Sequence, residues 1–188
     1  MNAACLDFLN SEFRDFRGRW VRDELQQPQW LEQFLARWDL SLATPPNPVA
    51  LAAFMALRAL LRRMVETLAR GQFSANDLAE LNAFLLKSPA SRCLVWNGQE
   101  YCLELVPLKK DWNWVQAEIA ASFADLAVNH DLRRLKICAN ANCRGVFYDE
   151  SKSRTRRYCT TDKCANLLKV RRFRARHRNN PSEAPGRE

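Results

Sequence analysis

Four of the seven cysteines in this 188-residue chain form two matched pairs, Cys138-x4-Cys143 and Cys159-x4-Cys164, with fifteen residues between the pairs. Thiolates are soft donors, and two local pairs on two turns complete a tetrahedron with little distortion of the chain, as a structural zinc site requires. A four-residue spacer is looser than the commoner two-residue one, so the reading rests on the repetition of the pair. Iron–sulfur ligation or disulfides remain open to the same thiols. Four protein donors leave no position for a metal-bound water, which makes the expected metal one structural zinc rather than a catalytic one. Asn140, Asn142 and Gly145 suit a turn whose amides point at sulfur. Thr160, Thr161 and Asp162 are N-cap residues for a helix from near Lys163, placing Cys164 in its first turn, where the helix's positive end favours a thiolate. A module of about forty residues buries too little surface to fold by itself, so metal binding is expected to be part of its folding free energy.

The last thiol leads into LLKVRRFRARHR, the most basic stretch of the chain. The net charge of +8 divides into −3 over residues 1–132 and +12 over 133–178. A mildly acidic body with a strongly basic appendage points to a polyanion partner. On a helical wheel Lys169, Arg172 and Arg176 fall in one sector and Arg171, Arg174 and Arg178 in a second. Cys164, Leu168 and Ala175 lie between the rails on one side, with Val170 and Phe173 on the other, so the helix is expected to pack on the zinc site with both flanks free for phosphates. Such binding weakens steeply with salt. Arg154, Arg156 and Arg157, ahead of the third thiol, are read as further nucleic-acid contacts. Single-strand readers interleave exposed aromatics with basic residues. Here Phe147, Tyr148, Tyr158 and Phe173 are read as packing around a small core, which favours double-stranded DNA. An RNA-binding or protein-docking module is the alternative.

The segment ICANANCRGVFYDESKSRTRRYCTTDKCANLLKVRRFRARHR resembles the CGNR-type zinc finger, whose pattern runs Cys…Cys, Phe-x-Asp-x-Ser, Arg-Arg-aromatic-Cys, Cys-Gly-Asn-Arg and a basic helix. Cys138, Cys143, Phe147, Asp149, Ser151, Arg156, Arg157, Cys159, Cys164 and Asn166 match it. Ala165 and Leu167 depart from it, standing where the motif has glycine and arginine; zinc ligation is untouched, but a contact made through that arginine is not carried over. The N-terminal part, with CLDFLNS at Cys5–Ser11, is similar to the ABATE-like domain that precedes such modules. The resemblance implies a bacterial transcription regulator.

Upstream elements must carry this module. PQWLEQFLARWDL reads as a helix opened by Pro28, and residues 49–71 form the clearest one, with apolar residues at 50, 53, 54, 57, 60, 61, 64, 65 and 68. Ser74 caps a third helix, and Asp111–Asn129 holds another, with Trp114, Ile119, Phe123, Leu126 and Ala127 facing the core. RCLVWNGQEYCLELVPL reads as a hairpin turning at Asn97-Gly98, which sets Trp96 against Gln99 and Cys93 against Cys102. Short strands follow near 135–137 and 145–148. The expected fold is mainly α with a small hairpin (α+β): a helical domain over 1–131, a zinc module over 132–178 and a disordered tail over 179–188. All six tryptophans fall in the body, where core packing is their expected role. Asp7, Asn10 and Ser11 are candidates for a small-molecule effector pocket, and the body is also a candidate homodimer surface. His-x-Glu with Pro-Cys-x-x-Cys, G-x-G-x-x-G, G-x-S-x-G and the P-loop are all absent, so no enzyme is expected. With no basic start followed by an apolar run and no membrane-length stretch, a cytoplasmic protein with reduced thiols is expected.

Overall fold

The apolar stripe of residues 50–68 becomes α3 (Pro48–Thr67), the central helix of the first unit. The computed structural model describes residues 1–68 and 71–179; the side chains of Arg178 and Asn179 lie outside the described set, as do residues 69–70 and all but the first residue of the tail expected over 179–188. That first residue, Asn179, is the last of a helix instead. The chain divides into two compact units, one of residues 1–12 and 23–133, the other of 13–22 and 134–188.

In the first unit α3 buries Phe54, Leu57, Leu60, Leu61 and Met64. Asn47 starts it, its Oδ1 accepting from the Ala50 amide at 2.8 Å. The short α1 (Ala4–Leu9) fits its Phe8 and Leu9 into the same core, with Phe8 against Phe34 and Phe54 at ring separations of 6.1 and 6.0 Å. Around them pack α2 (Pro28–Arg37), α4 (Ala75–Leu85), capped by Ser74 as expected, and α5 (Trp112–Asn129), capped by Asp111. Ile119, Phe123 and Leu126 of α5 are fully buried. A buried cation lies among them: Arg58 of α3 forks onto Asp23 at 2.7 and 2.5 Å and donates to Ser11 Oγ at 2.9 Å.

The β3–β4 hairpin (Ala90–Trp96, Tyr101–Pro107) forms, but its register corrects the expected one. Trp96 pairs with Tyr101 and Cys93 with Glu104, so the two cysteines are not opposite each other. The Asn97 side chain, accepting from the Gln99 and Glu100 amides at 2.9 Å, widens the turn to four residues, with Gly98 at φ +97°. A second correction concerns tryptophan. Trp114 is buried, while Trp20 and Trp96 are exposed, because one lies in the 13–22 excursion and the other on the outer face of β3.

The second unit is built from β1 (Glu12–Arg14) and β2 (Val21–Asp23), the antiparallel pair β5–β6 (Leu135–Ile137, Val146–Tyr148), a wide turn over Thr161–Ala165 and the long α6 (Asn166–Asn179). No described helix is long and apolar enough to cross a membrane.

Candidate metal centre and basic helix

The β5–β6 ladder delivers the first cysteine pair. Lys136 pairs with Phe147 and Ile137 with Val146, and the Cys138 amide then donates to the Gly145 carbonyl at 2.8 Å. Between them the chain doubles back. The Cys143 and Arg144 amides both donate to the Asn140 carbonyl, and Arg144 takes φ +50° to close the knuckle. The second pair comes from the loop and turn ahead of α6. There the Ala165 amide reaches the Thr160 carbonyl at 3.2 Å, five residues back, which widens the first turn and turns Cys164 inward. Thr160 precedes this turn, but its hydroxyl makes no capping bond, unlike the expectation.

All four Sγ atoms lie within 4.8 Å of one another. Cys143 and Cys159 are separated by 3.5 Å, and Cys159 and Cys164 by 3.9 Å. A zinc–sulfur distance of about 2.3 Å gives a tetrahedron with edges of about 3.8 Å, so the donor set fits the ion in number, softness and spacing. Its electrostatics ask for a cation. Cys138 is pulled well below the usual thiol range by hydrogen bonds from Cys143 and Cys159, and those two are pushed up, chiefly through the same bonds to Cys138. One thiolate is thus kept at its neighbours' expense, and a divalent ion removes the conflict by favouring ionisation of all four. Cys5, by contrast, is a buried thiol pushed up to about 11 by desolvation, and the charge acting on it, that of Asp125, opposes ionisation further.

Two polar anchors hold the cluster's surroundings. Asp149 is fully buried; burial alone would raise its carboxyl, but bonds from Lys136 Nζ at 2.6 Å, Ser151 Oγ at 2.5 Å and the Ser151 and Arg156 amides outweigh that and hold it well below the usual range. Lys136 also donates to the carbonyls of Arg154 and Arg156, and the Ala139 amide to that of Arg157. The loop carrying the three arginines is therefore fixed by its backbone. Asn140 is the second anchor: its Nδ2 donates to the Phe16 carbonyl at 2.7 Å and lies 3.5 Å from Cys164 Sγ. Phe16 packs on the sulfur cluster with Phe147 and Tyr158. Gly18, at φ +82°, passes so close that a Cβ would sit 2.7 Å from the Asn142 side chain.

The excursion at 13–22 was missed by the sequence reading, although a signal was present. FRDFRGRWVR holds four arginines and one aspartate, a net +3 inside an otherwise acidic body, and so matches the module it joins. Its turn is closed by Asp15, which accepts from Arg19 Nε at 2.6 Å. Phe13 and Trp20 are exposed, their rings 5.6 Å apart.

The basic residues divide into two groups. Arg156 is engaged, its guanidinium lying 4.8 Å from the Phe147 ring centre and donating to the Tyr158 and Cys159 carbonyls. Arg154, Arg157, Lys169, Arg171, Arg172, Arg174 and Arg176 are exposed, with Arg172 reaching the Tyr158 hydroxyl at 3.4 Å; the side chain of Arg178 lies outside the described residues. The expected packing of the helix on the zinc site holds only at its base. Cys164 is buried and Leu167 and Leu168 half-buried, but Val170, Phe173 and Ala175 are exposed, because the small core ends within the first turn and a half. Phe173, expected in the core, instead lies against the His177 ring at 3.9 Å.

In the first unit Asp7 and Asn10 line a cleft of about 190 Å³ with Trp30, Gln33, Phe34 and Arg37. Asp7 there accepts from Arg37 and from Trp38 Nε1. Ser11 does not reach this cleft, being buried beneath Arg58. A larger, mainly apolar pocket of about 460 Å³ is walled by Leu31 and Leu35 of α2, the Leu42–Pro46 loop and Trp112.

Residues 2–130 match the model of the ABATE family, described as "Putative stress-induced transcription regulator", and residues 134–177 match the CGNR zinc finger. Neither description is that of an enzyme. No curated protein matches the chain. The chain belongs to the ABATE family, and it ends in a CGNR zinc finger whose Cys138, Cys143, Cys159 and Cys164 hold one structural zinc.

Proposed function

We propose that this protein is a transcription regulator whose α6 lies against duplex DNA. Lys169, Arg171, Arg172, Arg174 and Arg176 take phosphates, and Arg154 and Arg157 add contacts from the loop ahead of the third thiolate. Arg178 extends the second rail by sequence. One observation carries the reading: from Lys169 to His177 every side chain is exposed, on a helix whose base is anchored at the sulfur cluster. Among the described residues no carboxylate pairs with Lys169, Arg171, Arg172, Arg174 or Arg176 of α6. Fourteen residues of helix span about 21 Å, enough to follow a major groove about 12 Å wide. Zinc makes the rod rigid rather than reactive. Arg156, already bonded to two carbonyls, is a positioning residue in this scheme.

The exposed Phe173–His177 pair favours a second reading, single-stranded RNA, whose bases stack on such rings. Fluorescence anisotropy over a salt series, with duplex DNA, single-stranded DNA and RNA of equal length, separates the two. Duplex DNA is expected to bind tightest, and Arg172→Ala with Arg176→Ala to flatten the log–log salt slope by about two. Tightest binding to RNA, lost in Phe173→Ala, overturns the duplex reading in favour of the second. No salt-dependent binding to any of the three overturns both and leaves protein docking.

The regulator's input is assigned to the first unit. The 460 Å³ pocket is within the size range of small-molecule sites and is lined for an apolar body, whereas the Asp7–Asn10 cleft is smaller and its carboxylate already paired. An apolar fluorescent probe such as anilinonaphthalene sulfonate should bind the native protein and be displaced by Leu31→Trp, which fills the pocket; equal binding by this variant would argue against the assignment.

A further inference from the structure

The β3–β4 hairpin turns its more apolar side outward. Leu94 pairs with Leu103, Trp96 with Tyr101 and Arg92 with Leu105, so these six share one face of the ribbon. Leu94, Trp96, Tyr101, Leu103 and Leu105 are each between 58% and 72% exposed. On the opposite face Cys93, Val95 and Cys102 are half-buried. This inverts the usual alternation of apolar-in and polar-out. A two-stranded ribbon is marginal by itself in water, and a contiguous apolar patch of this size marks a contact surface. We propose that the face is the interface of a homodimer, in which two hairpins pack face to face about a two-fold axis.

Three features select a second copy of this chain as the occupant. The first is area: the five side chains offer roughly 700 Å² per copy, close to the ~800 Å² per partner of a standard stable interface. The second is shape. The Leu94–Leu103 pair lies midway along the stripe, with Leu105 toward the base and the Trp96–Tyr101 pair toward the tip. A two-fold axis through the middle pair lays the bulky aromatic end of one copy over the slimmer leucine end of the other. The third is charge. Arg92 is the single charge on this face, and the same rotation sets it over the other copy's Trp96 and Tyr101 rings, a cation–π placement. It also comes within side-chain reach of the other copy's Glu100, which sits in the turn beside Tyr101. Neither Arg92 nor Glu100 has an ion partner in its own chain among the described residues. One charge of each sign at opposite ends of an apolar stripe is self-complementary, which a surface built for an anionic or a cationic partner would not be.

The full zinc-loaded chain, examined by sedimentation velocity at tens of micromolar, is expected at twice its 21.8 kDa mass. Leu94→Glu with Leu103→Glu should give the monomer, with unchanged circular dichroism and zinc content, because both side chains are exposed. Arg92→Glu should weaken the dimer about tenfold, and adding Glu100→Arg should restore it. A wild type that stays monomeric overturns the proposal, including one that is captured only by a lipid vesicle or an unrelated protein. A dimer that survives Leu94→Glu with Leu103→Glu overturns it as well. Failure of the charge reversal to rescue Arg92→Glu overturns the tip-over-base arrangement.

Discussion

The two units hold together by different means. In the first, five helices close over a core of large aliphatic and aromatic side chains, and its principal buried ion pair, Arg58 with Asp23, is a minor part of what is buried. In the second, the buried apolar set is small: Leu135, Val146 and Phe147 beside Cys138 and Cys164. Prominent among its other ties are the thiolates, the Lys136–Asp149 pair and the Asn140 amide. Where apolar area is plentiful, position along a helix decides what is buried. Where it is scarce, individual donors and acceptors decide, and each of them carries a larger share of the fold.

The largest expected effect follows directly. Chelation, or Cys143→Ser, should unfold the second unit while sparing the first. Hydrogen exchange read by mass spectrometry would show peptides from 134–165 losing protection, with 50–67 and 112–129 unchanged. Residues 13–22 should lose protection together with 134–165, although Phe16 and Asn140 are 124 positions apart. If 13–22 stayed protected with the metal removed, the division of the chain into these units would be wrong.

The converse substitution is Leu57→Ala. Leu57 is fully buried in α3, and truncating it should cost about 3 kcal/mol or more in the first unit's denaturant midpoint. Zinc stoichiometry should stay at one per chain. Zinc loss on this change would mean that the second unit depends on the core of the first.

The same contrast decides what could be read from the residues alone. The stripe of α3 was legible because a periodic pattern of nine apolar positions tolerates ambiguity at any one of them. The zinc ligands were legible because their chemistry is rare and their spacing repeats. The 13–22 excursion was not, since it is held by one amide, a glycine and an aromatic edge, none of which has a pattern. Its surplus of arginine was averaged into the acidic body. The hairpin register was missed for a related reason: Asn97-Gly98 fits a two-residue turn, and only the Asn97 side chain bonding to two later amides widens it. Phe173 was misplaced because a forty-residue core gives out before the helix does.

A smaller effect is expected at Asp149. Replacing it with Asn removes the buried carboxylate that the part-exposed Lys136 pairs with, at a cost of about 2 kcal/mol to the second unit. The sign of the pH dependence follows from its depressed carboxyl. The folded form holds the proton more weakly than the unfolded chain, so the stabilisation is complete above the usual carboxylate value near 3.8 and fades as pH falls through it toward the folded value. The gap between wild type and Asp149→Asn, read as zinc retention against a competing chelator, should therefore be widest near neutrality and close as acid is added. A gap that widened in acid would exclude this role.

The smallest effect is the most local. Asn140→Ala removes the donor to the Phe16 carbonyl and an amide 3.5 Å from Cys164 Sγ, leaving a part-buried carbonyl without that partner. A cost of about 1 kcal/mol is expected, with protection falling in 13–22 and holding in 146–148. The β5–β6 ladder does not pass through Asn140, so it should not register the change. Gly18→Ala should act on the same excursion by another route, since its φ of +82° and the Asn142 side chain 2.7 Å from the added Cβ both oppose it. If the two substitutions loosen 13–22 to a similar degree while zinc affinity changes little, the excursion is docked onto a completed metal centre. If zinc affinity falls in step with that loosening, the excursion belongs to the metal-binding fold itself, and a segment from the N-terminal end of the chain is one of the parts that build the C-terminal finger.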